Sequence, residues 1–204
     1  MERKRSDAKR KRAPSGAAVP RVDLTEALYR ALFLEWAEKG FAAVSLERVA
    51  SRAGAGKAAI YRRWSSRGEF AAEALEALGL QMAVIEDQGS LEADVEAFLF
   101  RLRAALRHPL VRRILPDIHA EAVRSPEMRK LNARVAGQRR NQGQALLSRA
   151  ISRGELPSTL DLQLALDLLP APLYWRMIVI GVTPSRAEVS KLAAAITAGL
   201  RAMG

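Results

Sequence analysis

Between Ser45 and Trp64 the chain reads SLERVASRAGAGKAAIYRRW, and this stretch restricts the fold more than any other. Ser45 is placed to cap a short helix whose Leu46, Val49 and Ala50 face inward. That helix stops at Gly54 after little more than two turns. A second short helix is expected from Gly56 to Trp64, with Ile60 and Trp64 four apart on one face. A longer helix precedes both. It opens at Asp23, with Glu26 three residues on in a capping-box arrangement. Leu28, Ala31, Leu32 and Trp36 form its apolar stripe, and Lys39-Gly40 closes it. A long helix followed by two short ones across a glycine turn is the helix-turn-helix plan; a plain three-helix bundle is the other arrangement these spacings allow.

The Gly56-Lys57 pair raises the question of phosphate binding. A nucleotide-binding P-loop requires a first glycine at position 51 and a magnesium-binding hydroxyl at 58. These positions hold Ser51 and Ala58, so that motif fails at both ends. The outer face of the second short helix carries Lys57, Tyr61 and Arg62, with Arg63 alongside and no acidic residue. Charge is also uneven along the chain: residues 1–68 hold 16 Lys/Arg against 7 Asp/Glu, and the remaining 136 hold 17 against 15. A basic head on a nearly neutral body points to a polyanion such as nucleic acid.

Residues 1–21 hold eight Lys/Arg and two prolines and read as a disordered basic arm. Its Arg3-Lys4-Arg5 and Lys9 to Arg12 could follow DNA phosphates or enter the minor groove. Beyond the head, Ser66 and Glu69 form a capping box opening a helix through about Glu86. Further helices are expected over Leu91–Arg107, Leu110–Leu115, Pro126–Arg153 with Ser125 as cap, Leu160–Ile180 and Ser185–Met203. No cysteine is present, which excludes disulfides and thiolate metal sites and fits a reducing, cytoplasmic setting. The amino terminus lacks the apolar stretch of a secretory signal. LLPAPLYWRMIVIG, the most apolar segment, is too short to span a bilayer.

The run EKGFAAVSLERVASRAGAGKAAIYRRWSSRGEF resembles the amino-terminal domain of the tetracycline-repressor (TetR) family of bacterial transcription regulators. Matching residues include Gly40-Phe41, Ser45, Val49-Ala50, Ala53-Gly54, Lys57, Ile60-Tyr61, Trp64, Ser66 and Glu69. The sequence departs from the family pattern at Gly56 and Ala59, where serine and threonine are usual, and at Glu35, usually apolar. The resemblance implies an all-α homodimer: an N-terminal three-helix helix-turn-helix head and a larger C-terminal helical domain for ligand binding and dimerisation. The divisions expected are 1–21 for the arm, 22–68 for the head, 69–86 for a connecting helix and 87–204 for the larger domain. The partners implied are a double-stranded, palindromic DNA operator and a small-molecule effector that releases a repressor. A non-specific architectural DNA-binding protein is the alternative.

Within that frame Lys57 and Arg62 would read base edges, with Ala58 and Ala59 approaching closely enough to meet a thymine methyl. Ser45, Arg48, Tyr61, Arg63 and Arg67 would hold the DNA backbone. Phe98, Leu102, Ile114, Ile118, His119, Leu146, Leu168 and Tyr174 are candidate lining of the effector pocket. Leu164, Leu168, Leu173, Met177, Ile178, Leu192, Ile196 and Leu200 offer apolar surface for a four-helix dimer contact. His108 and His119 are the only histidines. No nucleophile–base pair or metal-ligand cluster is legible, and neither enzyme activity, cofactor nor metal is expected.

Overall fold

The computed structural model describes residues 21–81 and 86–203; among these, every regular element is helical. The expectations for the basic arm and for capping by Asp23 lie outside the described residues and side chains. Helix α1 (Arg21–Lys39) buries the stripe Leu28, Ala31, Leu32 and Trp36, and Gly40 ends it in the left-handed region at φ 76°. A 3₁₀ turn over Phe41–Ala43 leads to α2 (Leu46–Arg52), whose Ser45 cap accepts from Arg48 N at 3.4 Å. Gly54, at φ 68°, makes the tight turn into α3 (Lys57–Tyr61). The helix proper is shorter than the Gly56–Trp64 expected, although Arg62 keeps helical dihedrals.

Helices of seven and five residues cannot sustain themselves in water. Their support is the aromatic core beneath them. Trp64 is 1% exposed and stacks on Phe70 of α4 (Arg67–Gln81) at 4.1 Å between ring centroids. Its Nε1–H donates to Glu73 at 2.8 Å, and the Tyr29 hydroxyl donates to the other oxygen of that carboxylate at 2.6 Å. Val49 and Ile60 are fully buried in the same cluster. At the start of α4, Ser66 Oγ accepts from Glu69 N as expected. The Glu69 carboxylate, however, returns to Ser65 N at 2.8 Å, so the box closes one residue earlier.

Glu35, flagged by the sequence as an unusual residue, is buried to 1% and takes Arg48 Nε at 2.5 Å and Arg52 at 3.7 Å. Arg52 also forms a forked pair with Glu38, both contacts at 2.9 Å. Cations from α2 thus clamp it to α1, and the buried charge is compensated rather than left bare.

The body comprises α5 (Leu91–Leu106), α6 (Pro109–Arg124), α7 (Pro126–Ser152), α8 (Leu162–Leu168), α9 (Ala171–Tyr174) with a π turn at Trp175–Val179, and α10 (Arg186–Ala202). Two expectations need correction. The short helix over Leu110–Leu115 runs on to Arg124, straight through Pro116. Proline removes one ladder bond, but Ile114, Leu115 and Ile118 are buried along the helix and tertiary packing outweighs that loss. The single helix expected over Leu160–Ile180 is broken at Leu169-Pro170 and widened after Tyr174, where Ile180 N bonds Trp175 O five residues back. Ser125 caps α7 and Ser185 closes a full capping box with Glu188. His108 caps α6 through Nδ1, which accepts from Leu110 N at 3.3 Å.

Asp94, on α5, is completely buried and ties three segments together. It accepts from Gln88 N at 2.9 Å, from Arg153 at 2.9 Å and from Arg149 at 3.5 Å. Head and body are joined by two carboxylates. Asp117 of α6 accepts from Trp36 Nε1 at 2.6 Å and from Phe41 N at 2.8 Å. Glu127 of α7 accepts from Gly68 N at 3.0 Å and from Ser66 Oγ at 3.2 Å. A side chain at Gly68 would strike that carboxylate, since a Cβ there falls 2.0 Å from its oxygen.

Candidate nucleic-acid interface

Helix α3 turns Ile60 and, just beyond its end, Trp64 into the core, which leaves Lys57, Ala58, Tyr61 and Arg62 exposed on the other side; Ala59 is half-buried. The helix is fixed at both ends, by the Gly54 turn and by the buried tryptophan. Its outward face is therefore held at a set angle to α1 and α2. Tyr61, at 47% exposure, is an aromatic left on the surface beside cations.

The cations differ in how free they are. Lys57 Nζ pairs with Glu47 of α2 at 2.6 Å and lies over the Tyr61 ring at 5.4 Å. The same carboxylate accepts from Tyr61 OH at 3.2 Å and from Ser45 Oγ at 3.0 Å. Lys57, its own backbone and Ser45, in that order, pull the Glu47 carboxyl down to about 2, so it stays ionised at any pH of interest. Sequence reasoning found no acid on the face of α3 and missed this one, which arrives from α2. Its signal was present: Glu47 is the only acidic residue between Lys39 and Gly68.

Arg48 is committed to Glu35 and to the Ala43 carbonyl at 2.7 Å, though half of its side chain stays exposed. Arg63 donates to Thr25 Oγ1 at 2.6 Å, approaches Glu73 at 3.6 Å and covers the Trp64 ring at 4.4 Å. Arg67 donates to the Ala42 carbonyl at 2.6 Å and sits over Phe41 at 4.9 Å. Of these head cations, Arg62 alone has a side chain with no hydrogen bond, ion pair or ring contact to any described residue. Ser45, half-buried, spends its hydroxyl on capping and on Glu47.

The other candidate residues divide by burial. Ile114, Ile118 and Leu146 are closed into the core, whereas Phe98, Leu102, Leu168 and Tyr174 are half-buried against it. His119 is exposed and bonded to Tyr174. Of the dimer candidates, Leu173, Met177, Ile196 and Leu200 are buried within the chain, Leu168, Ile178 and Leu192 are partly so, and Leu164 is exposed. Among the described residues no helix is long and apolar enough to cross a membrane, and no group of three His, Asp or Glu could hold a metal ion.

Comparison with known proteins agrees with this geometry. Residues 28–74 match the family described as bacterial regulatory proteins, tetR family, and residues 85–196 match the tetracyclin repressor-like C-terminal domain. A helix-turn-helix (HTH) transcriptional regulator of Mycobacterium tuberculosis strain H37Rv is 30% identical over 162 residues, covering 76% of each chain. The DNA-binding transcriptional repressor TetR of Mycobacteroides abscessus is 30% identical over 68% of this chain and 73% of its own. The regulator FadR of Bacillus subtilis, solved with stearoyl-CoA, shares the fold with a TM-score of 0.64 at 13% identity, covering 88% of this chain and 98% of that one. A helix-turn-helix presenting a cationic face, matched at both head and body, makes this chain a DNA-binding transcriptional regulator that belongs to the TetR family.

Proposed function

We propose that the protein is a sequence-specific repressor that a small-molecule effector releases from a palindromic operator. The observation carrying this reading is Arg62, an exposed guanidinium on α3 with no partner of its own. An unpaired arginine can give both donors to guanine O6 and N7 without breaking an internal contact. Ala58 and Ala59 keep the approach close. Lys57 is a second base reader once Glu47 lets it go; Ser45, Arg48, Tyr61, Arg63 and Arg67 hold phosphates from either side. Residues 22–68 form the head, 69–86 the connection and 87–204 the body. The M. abscessus relative is named a repressor, and B. subtilis FadR was solved in complex with stearoyl-CoA, which favours repression and a small-molecule ligand.

Dimerisation through the end of the body places two heads on one duplex. Leu164, Trp175, Val179, Ile180 and Val182 remain exposed there, with Trp175 at 57%. That much large apolar surface on one segment suits a protein partner, and a second copy provides the two-fold match to a palindrome. The heads must then sit about 34–36 Å apart to enter successive major grooves, so a small rotation driven by an effector is enough to lose the operator.

Selection from random duplexes tests the reading. A palindromic site is expected, and Arg62→Ala is expected to lose about 1–3 kcal/mol of discrimination at one position per half-site. Equal binding to unrelated duplexes at moderate salt would favour the architectural alternative. Glu47→Gln provides a separate check. It frees Lys57 and removes a negative charge from the DNA face, so operator affinity is expected to rise. The salt dependence should steepen by about one phosphate's share, a log–log slope change near −0.9. Weaker binding by Glu47→Gln would mean that Glu47 instead orders Lys57 and Tyr61 for contact.

A further inference from the structure

The positive charge of the head is divided between its fold and the chain ahead of it. Residues 21–68 hold nine Lys/Arg against five Asp/Glu, a net +4. Residues 1–20 hold seven Lys/Arg against Glu2 and Asp7, a net +5. More than half of the head's net charge therefore precedes α1. Within the fold, much of the rest is already engaged: Arg48 with Glu35, Arg52 with Glu38 and Lys57 with Glu47. Duplex DNA carries one negative charge per ~1.7 Å of its axis, and a protein grips it through cations that displace its counterions. The folded part of the head has few such cations to spare.

The point where residues 1–20 join the fold is fixed by a contact. Arg63, the residue after Arg62, donates to Thr25 Oγ1 at 2.6 Å. Thr25 lies four residues beyond Arg21, the first residue of α1, which is about 6 Å along the helix. The start of α1 is thus held beside the end of α3, next to the residue that presents the free guanidinium. Residues 9–12 precede Arg21 by nine to twelve positions, so they reach at most about 30–40 Å from it. That is roughly ten base pairs. The segment holds no aromatic residue to stack on a base and no Asn or Gln to pair with adenine. Its cations are contiguous instead, at Arg3-Lys4-Arg5 and Lys9-Arg10-Lys11-Arg12, which suits a run of phosphates.

We propose that residues 1–20 form a second DNA contact of the head, in which Lys9, Arg10, Lys11 and Arg12 bind neighbouring phosphates beside the groove that α3 enters, without reading bases. The proposal rests on the reading of α3 above and divides the work between the two parts. Arg62 discriminates among sequences, and the basic run supplies grip that is equal on all of them.

The experiment compares the full-length protein with a variant carrying Lys9→Gln, Arg10→Gln, Lys11→Gln and Arg12→Gln, on a selected operator and on a scrambled duplex of equal length. Affinity is titrated against salt, and phosphate ethylation interference is mapped on the operator for both proteins. The variant is expected to bind both duplexes about tenfold or more weakly at ~50 mM salt. Its log–log slope should flatten by about 0.9 for each phosphate given up, and by at least about 2 in all. Ethylation of two or more neighbouring phosphates per half-site should weaken the parent and not the variant. Lys9→Arg with Lys11→Arg preserves the charge and should keep the parent's slope. An unchanged slope overturns the proposal. So does tighter binding by the Gln variant, which would place the run on the protein's own acids. A loss confined to operator DNA also overturns it, since the run would then read bases. If the parent binds operator and scrambled duplex alike, the sequence-specific reading fails, and the slope difference still decides the role of residues 9–12.

Discussion

Trp64→Ala is expected to destabilise the protein by ~3–5 kcal/mol, the range for truncating a fully buried aromatic, and to abolish operator binding. Trp64 is where the chain leaving α3 is nailed to α4: its ring stacks on Phe70, Tyr29 flanks it at 6.4 Å, and its Nε1–H holds Glu73. Alanine leaves a void under a five-residue helix whose one buried residue is Ile60. The melting temperature should fall by roughly 6–20 °C, and DNA binding should be lost even well below it. Trp64→Phe keeps the stack and gives up only the hydrogen bond. Glu73 still accepts from Tyr29, so a loss of about 1 kcal/mol is expected there. Near-normal DNA affinity in the alanine variant, measured where it is folded, would show that α3 is positioned by something other than this core.

Asp94→Ala is expected to cost a similar ~3–5 kcal/mol, because removing one member of a buried ion pair strands its partners. Three donors would be stranded here: Gln88 N, Arg149 and Arg153. Arg153 retains Glu155 at 2.7 Å and Asp87 at 2.7 Å, and so keeps part of its pairing. Arg149 pairs with no other carboxylate among the described residues, and its Nε is already buried without a partner. Asp94→Asn preserves an acceptor for Gln88 N while dropping the charge, and an intermediate loss is expected. Denaturant titration separates the three proteins; equal midpoints would mean that Asp94 is not a hub.

The head was legible because its signals are local. Ser45, Gly40 and Gly54 fix ends and turns within a few residues, and the stripe from Leu28 to Trp36 reads directly as buried. In the body the helix expected over Leu91–Arg107 matches α5, and Ser125 and Ser185 cap as expected. Pro116 misled because a local cost was outweighed by burial of Ile114, Leu115 and Ile118, which no single-helix pattern reveals. The break at Leu169-Pro170 did carry a local signal, since Pro170 and Pro172 cannot donate to the helix ladder. On the candidate interface, residue types were readable and their commitments were not. Arg48, Arg63 and Arg67 all looked like free cations, yet each is held by groups 5 to 38 residues away. Arg62 stood out only once the partners of the others were known.

The claim on which the rest depends is that α3 enters the major groove, once in each half of a two-fold site. Methylation interference tests it most directly, because dimethyl sulfate modifies guanine N7 in the major groove and adenine N3 in the minor groove. On a selected operator, guanine methylation is expected to block binding in two patches whose centres lie about one helical turn apart, or a multiple of it. Interference confined to adenine N3, or spread evenly along the duplex, would contradict the account.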